Sequence, residues 1–355
     1  MPPSAVHHDP NDRPRWWTGS RAKVAIKSTL GALVLVMVAQ HATRTWVDLQ
    51  ARGASIRIAP GAFLASMALY LGGLLPFGLF YRRALLAGGS TIRPYPATRA
   101  YLVSHLGKYV PGKAMVVVVR AGLSAPHGAR ASTAAFASIY ETLLMMAVGG
   151  LVAAAGFSLS PSRGTSLPIG IGGRSITLPL PLIGLGLGFG FSFLSSPWAF
   201  PRLARLAKRP LPGVGLDSLP RITPQLVGEG VAWNIIGWTL LGLSQVALLA
   251  SMIPGGLEPS AWPAVVASVA LATVAGFVVP IAPGGLGVRE WVLWTALAAT
   301  IDRDLAVVAA LALRLAWVLA EVGAGAALMA IRPKASSIAT GSELATTVTA
   351  GADQP

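Results

Sequence analysis

The sequence has no cysteine, and only 12% of its 355 residues are charged. Without cysteine there are no disulfides, no thiolate metal sites and no cysteine nucleophile, and the redox compartment is left open. Soluble domains carry charge on about a quarter of their residues. A share this low, beside 54% hydrophobic residues, 40 Gly and 27 Pro, excludes an ordinary water-soluble globule, a disordered chain and a coiled coil. Acidic residues are the scarcer sign, 13 against 28 Lys and Arg, for a net charge of +15. The five histidines, at positions 7, 8, 41, 105 and 127, form no His-x-x-x-His pair, so zinc is not supported. Neither a nucleophile elbow nor an Asp-rich metal motif is present, and no cofactor is expected. Asp302-Arg303-Asp304 reads as a solvated turn.

What is abundant is apolar run. A membrane-spanning helix needs about 20 mostly apolar residues. Ile58–Phe80, Ser175–Phe200 and Gly230–Leu257 contain no Asp, Glu, Lys or Arg; Ala131–Phe157 contains only Glu141; Leu305–Ile331 contains Arg314 and Glu321. Val24–Ala42 is a sixth candidate, with Lys27 near its start, where a long side chain can snorkel. A cleaved signal peptide is the rival reading there, but the charged leader is long and no small-residue cleavage site follows.

Two further apolar stretches are interrupted. Pro96–Leu123 breaks at His105-Leu-Gly-Lys-Tyr-Val-Pro-Gly-Lys113, and Trp262–Thr300 breaks at Val279-Pro-Ile-Ala-Pro-Gly-Gly-Leu-Gly-Val-Arg-Glu290. Proline removes a donor and clashes with the preceding turn, and clustered glycine is costly to hold in a helix. Both stretches therefore read as re-entrant helical hairpins centred on Pro111, Gly112, Pro283, Gly284, Gly285 and Gly287. With six crossings and two hairpins, one side of the membrane collects 18 Lys and Arg and the other 6, leaving Lys108, Lys113, Arg289 and Arg314 inside. The basic side is the cytoplasmic one. The excess of positive charge thus marks orientation rather than nucleic-acid binding.

The fold class expected is an all-α polytopic membrane protein of six full helices and two re-entrant hairpins arranged as inverted repeats. Residues 1–23 form a basic cytoplasmic tail and 24–332 the membrane domain, with halves at 24–157 and 175–332. Residues 333–355, rich in Ser, Thr, Ala and Gly, form a disordered tail. The expected location is the inner membrane with both termini cytoplasmic. Inverted halves with interrupted helices are a transporter signature, the substrate lying where the breaks meet.

Helix starts after each break offer unpaired N–H groups and a positive dipole end, beside Lys113 in one case and Arg289 in the other. Two such ends and two cations suit a phosphate, and in a membrane a lipid headgroup supplies one. The competing reading has Lys108, Lys113 and Arg289 snorkelling to the interfaces as anchors. Charges deep in a bilayer face the protein interior and pair. Arg314 and Glu321 sit two turns apart, too far for a direct bond, so Glu141 with Arg314 is the expected pair, and Glu290 holds Arg289 or carries a proton. Asn234, Trp238, Leu241 and Gln245 share one helix face and read mainly as bonds to a neighbouring helix. Gly184, Gly186, Gly188 and Gly190 allow close helix approach. Gly107-Lys-Tyr-Val-Pro-Gly-Lys113 has P-loop spacing, but Ala114 replaces the hydroxyl residue that holds magnesium, which argues against nucleotide hydrolysis.

Leu106-Gly-Lys-Tyr-Val-Pro-Gly-Lys113, then Arg120, then Glu141, then Pro283-Gly-Gly-Leu-Gly-Val-Arg-Glu290 resemble the lysylphosphatidylglycerol synthase transmembrane-region family over about residues 24–332. The resemblance implies a flippase-like domain moving aminoacylated phosphatidylglycerol between leaflets, or a relative serving a glycosyltransferase that uses polyprenyl-phosphate lipids. It places Lys108, Pro111, Gly112, Lys113, Arg120, Glu141, Pro283, Gly284, Gly285, Gly287, Arg289 and Glu290 at the family's marked positions. Thr142 stands where many members carry Arg. With about 23 residues after the last span, no soluble aminoacyl-transferase domain is expected. The implied partners are a membrane lipid substrate, an anionic lipid surface met by the basic loop Arg202–Arg221, and a separate glycosyltransferase or lipid synthase. A membrane enzyme with Glu141 or Glu290 as base, and a non-catalytic scaffold, are the competing functions.

Overall fold

The computed structural model describes residues 58–109, 114–160, 166–171, 174–208, 219–279, 285 and 287–331, with isolated positions 36, 40, 43, 44 and 47. The expected first span Val24–Ala42 lies outside these residues apart from positions 36 and 40, as do both tails. Pro111, Gly112, Lys113, Pro283 and Gly284 also lie outside them.

The described chain is almost entirely helical: α1 (Pro60–Ala87), α2 (Pro94–Ser104), a 3-10 turn (His105–Tyr109), α3 (Ala114–Ser124) and α4 (Ala131–Leu159) come first. A two-stranded hairpin, β1 (Ser166–Ile171) and β2 (Arg174–Pro179), leads into α5 (Leu180–Ser195) and α6 (Ala199–Lys208). α7 (Pro224–Met252), α8 (Trp262–Val278), α9 (Val288–Leu297) and α10 (Arg303–Ala330) complete it. The starts are written in the sequence. Pro60 and Pro224 open their helices where the lost donor is unused. Thr223 accepts from the Leu226 N–H, and Asp302 accepts from the N–H groups of Asp304 and Leu305.

Among the described residues, five helices are long and apolar enough to cross a membrane: α1, α4, α7, α10, and α8 taken with the 3-10 turn before it (Pro259–Val278). α5 and α6 add a sixth if their bent pair counts as one span. Apolar side chains on the outside suit a lipid solvent: Leu182, Phe189 and Phe193 are more than half exposed. The protein is an all-α polytopic membrane protein, with one hairpin of strands among the described residues.

That hairpin corrects the sequence reading. Residues 175–179, taken as the start of a span, are strand, pairing Ser166 with Pro179 through Ile171 with Arg174. Ile176 and Thr177 are β-branched, Pro179 and Pro181 resist a helix interior, and Gly172-Gly173 suits a tight turn. The helix begins only at Leu180. It runs 16 residues, about 24 Å at 1.5 Å per residue, before the chain bends by 71° into α6.

α1 packs along α7, and α4 packs against both α5 and α8. The α1–α7 contact is reciprocal. A Cβ on Gly73 would overlap the Leu241 side chain, and one on Gly237 would overlap the Phe77 ring. Gly237 follows Gly73 by the same interval as Leu241 follows Phe77, and each glycine sits equally far behind its helix's opening proline. On the α4–α5 side, a Cβ on Gly150 would strike Gly188 N at 2.5 Å, and one on Gly184 would strike Ala154 N at 2.8 Å. Gly186 and Gly190 face open space. Two of the four glycines in α5 therefore provide the close approach.

Trp238 donates to Met145 O and Gln245 to Ala309 O, tying α7 to α4 and α10. Asn234 instead bonds Gly230 O in its own helix.

Candidate functional site

On either side of each break the flanking helices pack on one another, α2 on α3 and α8 on α9. α2 and α3 have 11 residues each, about 16 Å, so neither crosses alone. The 3-10 turn lies against the start of α3 so tightly that a Cβ on Gly107 would sit 3.0 Å from Val116 N. At the second break Gly285, with φ +75°, lies against α8. Its Cβ position is 3.1 Å from the Gly276 Cα, and that of Gly276 is 3.1 Å from Arg289 Cβ. Glycine is needed at both surfaces of this contact, and α9 packs beside α8 as a result. Gly287, φ +82°, precedes α9, and its N–H donates to Glu290 Oε2 at 2.7 Å, closing the first turn.

Two buried charge groups sit on these elements. In the first, Arg120 on α3 pairs with Glu141 on α4, Nη1 to Oε2 at 2.9 Å, with both side chains at most 2% exposed. Arg120 also donates to Ser104 Oγ at 3.0 Å and lies over the Tyr101 ring at 4.1 Å. Tyr101 donates to the other carboxylate oxygen at 3.0 Å.

In the second group, Lys108 of the 3-10 turn pairs with Glu321 of α10. Tyr70 of α1 donates to Glu321 as well, and Tyr109 donates to its Oε2 at 2.7 Å. Tyr70 stacks on Trp317, their centroids 4.2 Å apart. The Arg289 guanidinium lies 4.2 Å from the Trp317 ring centre. Arg314 reaches Glu290 Oε1 at 3.5 Å and lies 5.6 Å from the Tyr109 ring centre. A cavity of about 10 Å³, room for one water, is lined by Arg289, Glu290, Leu293, Ala310, Leu313 and Arg314.

The counts differ between the groups. The first holds one cation and one carboxylate. Among the described residues the second holds three cations, Lys108, Arg289 and Arg314, against two carboxylates, Glu290 and Glu321. Among the described residues no carboxylate lies within 4 Å of Arg289, which is only 7% exposed. Its burial is offset by the Trp317 face, an interaction of about 2 kcal/mol when desolvated.

The expected Glu141–Arg314 pair is not formed. Arg120 reaches Glu141 from the adjoining α3, and Arg314 is met by Glu290 of the adjoining α9. Glu290 thus goes to Arg314 rather than to its neighbour Arg289. Arg120 also leaves the tally of solvent-facing loop charges, and the basic asymmetry survives its removal. Arg99, tallied with the same loops, is 8% exposed and donates to Leu328 O. Tyr70, Tyr101, Tyr109 and Trp317 were missed as site residues. Tyr109 lies inside the first motif, but nothing in the sequence distinguishes the other three from ordinary core aromatics.

Each glycine-rich break carries a cation between helices that pack on one another, Lys108 of the first break pairs with Glu321 of α10, and residues 24–325 match the family described as Lysylphosphatidylglycerol synthase TM region. The chain belongs to that family. No curated protein matches it. As a member of the lysylphosphatidylglycerol synthase TM region family, it is a multi-pass membrane protein related to lipid metabolism. The family match takes in both breaks, all four of the intramembrane charges Glu141, Glu290, Arg314 and Glu321, and every expected phosphate-binding residue.

Proposed function

We propose that this protein translocates a phosphate-bearing lipid, such as a modified phosphatidylglycerol or a polyprenyl-phosphate-linked lipid, between leaflets. The observation that carries this is Arg289: a buried cation beside a small cavity, in a group with one positive charge more than its carboxylates balance. Desolvating an unpaired charge is costly, so such a site gains when an anion enters. A phosphate held between Arg289 and Arg314, with Lys108 within the same group, would restore neutrality. Lys113, at the first break, is assigned to the same role from its place in the sequence motif.

In this reading the two breaks are re-entrant hairpins entering from opposite faces, and 24–157 and 175–332 are inverted halves. The reciprocal Gly73–Leu241 and Gly237–Phe77 contact and the matching fold-back of both breaks support it. The halves rock about the site, with Lys108–Glu321 closing it between substrates. The termini are cytoplasmic and the membrane is the inner one, on the strength of the basic-loop asymmetry. α6 lies in the interface of that leaflet: Arg202 and Arg205 are exposed beside exposed Trp198, Leu203 and Leu206, the composition of a helix bound to an anionic lipid surface.

The test is reconstitution of the purified full chain in vesicles with labelled phosphatidylglycerol or a labelled polyprenyl phosphate, measuring transfer between leaflets. Wild type should accelerate transfer of at least one of these lipids. Arg289→Ala with Lys108→Ala should slow it at least about tenfold, with helical content unchanged. Equal rates for wild type and the double variant would overturn the site, and no acceleration for either lipid would overturn the function.

A further inference from the structure

A second cavity lies apart from the one at the buried charges. It is an open pocket of about 650 Å³ where α1 ends and α4 and α7 begin. Its lining includes three cations, Arg83, Arg130 and Arg221, and no Asp or Glu. The pocket shares no lining residue with the Arg289 cavity.

Its walls are built rather than accidental. The Arg221 N–H donates to Ala87 O at 3.1 Å, pinning the loop before α7 to the end of α1. Gly89, with φ +81°, makes the turn beside it. Glu229, just outside the lining, receives both Nε and Nη2 of Arg83 at 2.5 and 2.7 Å, and accepts from Gln225 at 3.0 Å. That fork fixes two of the pocket's polar side chains in place. It also balances one of the three positive charges, leaving two. Leu86, Leu219 and Leu226 supply an apolar surface beside the arginines. Guanidinium groups recognise phosphate oxygens through paired N–H donors, and three arginines around one concavity are suited to a group of more than one negative charge.

We infer that this pocket is a second anion site, taking a phosphate group of about two negative charges attached to a partly apolar body. It lies at the end of the molecule that carries the basic loops. The phosphate has two possible sources: the headgroup of an anionic lipid in the adjacent leaflet, or a soluble phosphate ester. The inference does not depend on translocation, and its readout is binding alone.

The experiment uses the full chain in nanodiscs and compares wild type with Arg130→Gln plus Arg221→Gln. Neither residue belongs to the buried charge groups. In one arm the discs contain phosphatidic acid in phosphatidylcholine, and lipid retained through delipidation is counted by native mass spectrometry. In the other the discs are phosphatidylcholine only, and binding of glycerol 3-phosphate and of pyrophosphate is measured by titration. Wild type should retain phosphatidic acid or bind a soluble ester, and the double variant should lose about tenfold or more in that affinity, the scale of one or two charged hydrogen bonds. Binding should weaken with added salt, because these arginines are partly exposed. Arg303→Gln, at the start of α10, should change nothing, and Arg289→Ala should leave this binding intact even if it abolishes transfer. Which arm responds names the source. Equal binding by wild type and the double variant in both arms would overturn the site.

Discussion

Glu141 accepts hydrogen bonds from Arg120, Tyr101 and, at 3.4 Å, Thr142. Removing the carboxylate leaves Arg120 buried with its charge uncompensated, which costs about 3–5 kcal/mol in buried pairs. Glu141→Ala should therefore lower the thermal midpoint of the purified protein sharply. Arg120→Met with Glu141→Leu should recover most of the loss, because both charges leave together. Singles that add without coupling would remove the pair. The charges themselves were legible in the sequence, since Glu141, Arg314 and Glu321 interrupt apolar runs. Their partners were not. The two turns between Arg314 and Glu321 suggested Glu141 as a partner across the halves, whereas the short helix after each break supplies the nearer one. Among the buried charges, Lys108 to Glu321 crosses between the halves, as Arg83 to Glu229 does nearer the surface, and nothing in the spacing of either pair announces it.

Among the elements, α5 shows how glycine spacing translates into packing. Gly184 and Gly188 lie one turn apart on the face toward α4, while Gly186 and Gly190 point away from it. Gly188→Leu should force α4 and α5 apart, at about 1–3 kcal/mol for overpacking. Gly186→Ala should be neutral or gain about 0.5–1 kcal/mol from helix entropy. Thermal unfolding of the two variants in detergent separates them; equal effects would contradict the packing. The spans were read well where an apolar run is also a helix former, as in α1, α4, α7 and α10. The strand hairpin before α5 was overlooked because a hydropathy window ignores backbone preference. Ser175–Pro179 is apolar enough to extend a span, yet β-branched Ile176 and Thr177 favour strand and Pro179 resists a helix interior.

For the whole molecule, the pairings have a repeated form with exchanged polarity. In the first half a cation on the helix after the break meets a carboxylate on the next span, Arg120 to Glu141. In the second a carboxylate on the helix after the break meets a cation on the next span, Glu290 to Arg314. The sequence carries no cysteine, so single cysteines report topology without background. If both breaks are re-entrant, Tyr95→Cys and Ala125→Cys should label from the same face, and Glu258→Cys and Arg303→Cys from the opposite face. Labelling of either pair from two different faces would mean that its segment crosses the bilayer, and the inverted arrangement would fall.

The meeting of Gly73 and Gly237 has a mechanical meaning. With no side chain from either glycine to act as a spacer, α1 and α7 touch nearly main chain to main chain, each held by the other's bulky neighbour. Any tilting of one half over the other is easiest about such a bearing, where surfaces need to slide least. A methyl group added at either glycine would act as a wedge on both halves at once, jamming the movement far from any charge the lipid would meet.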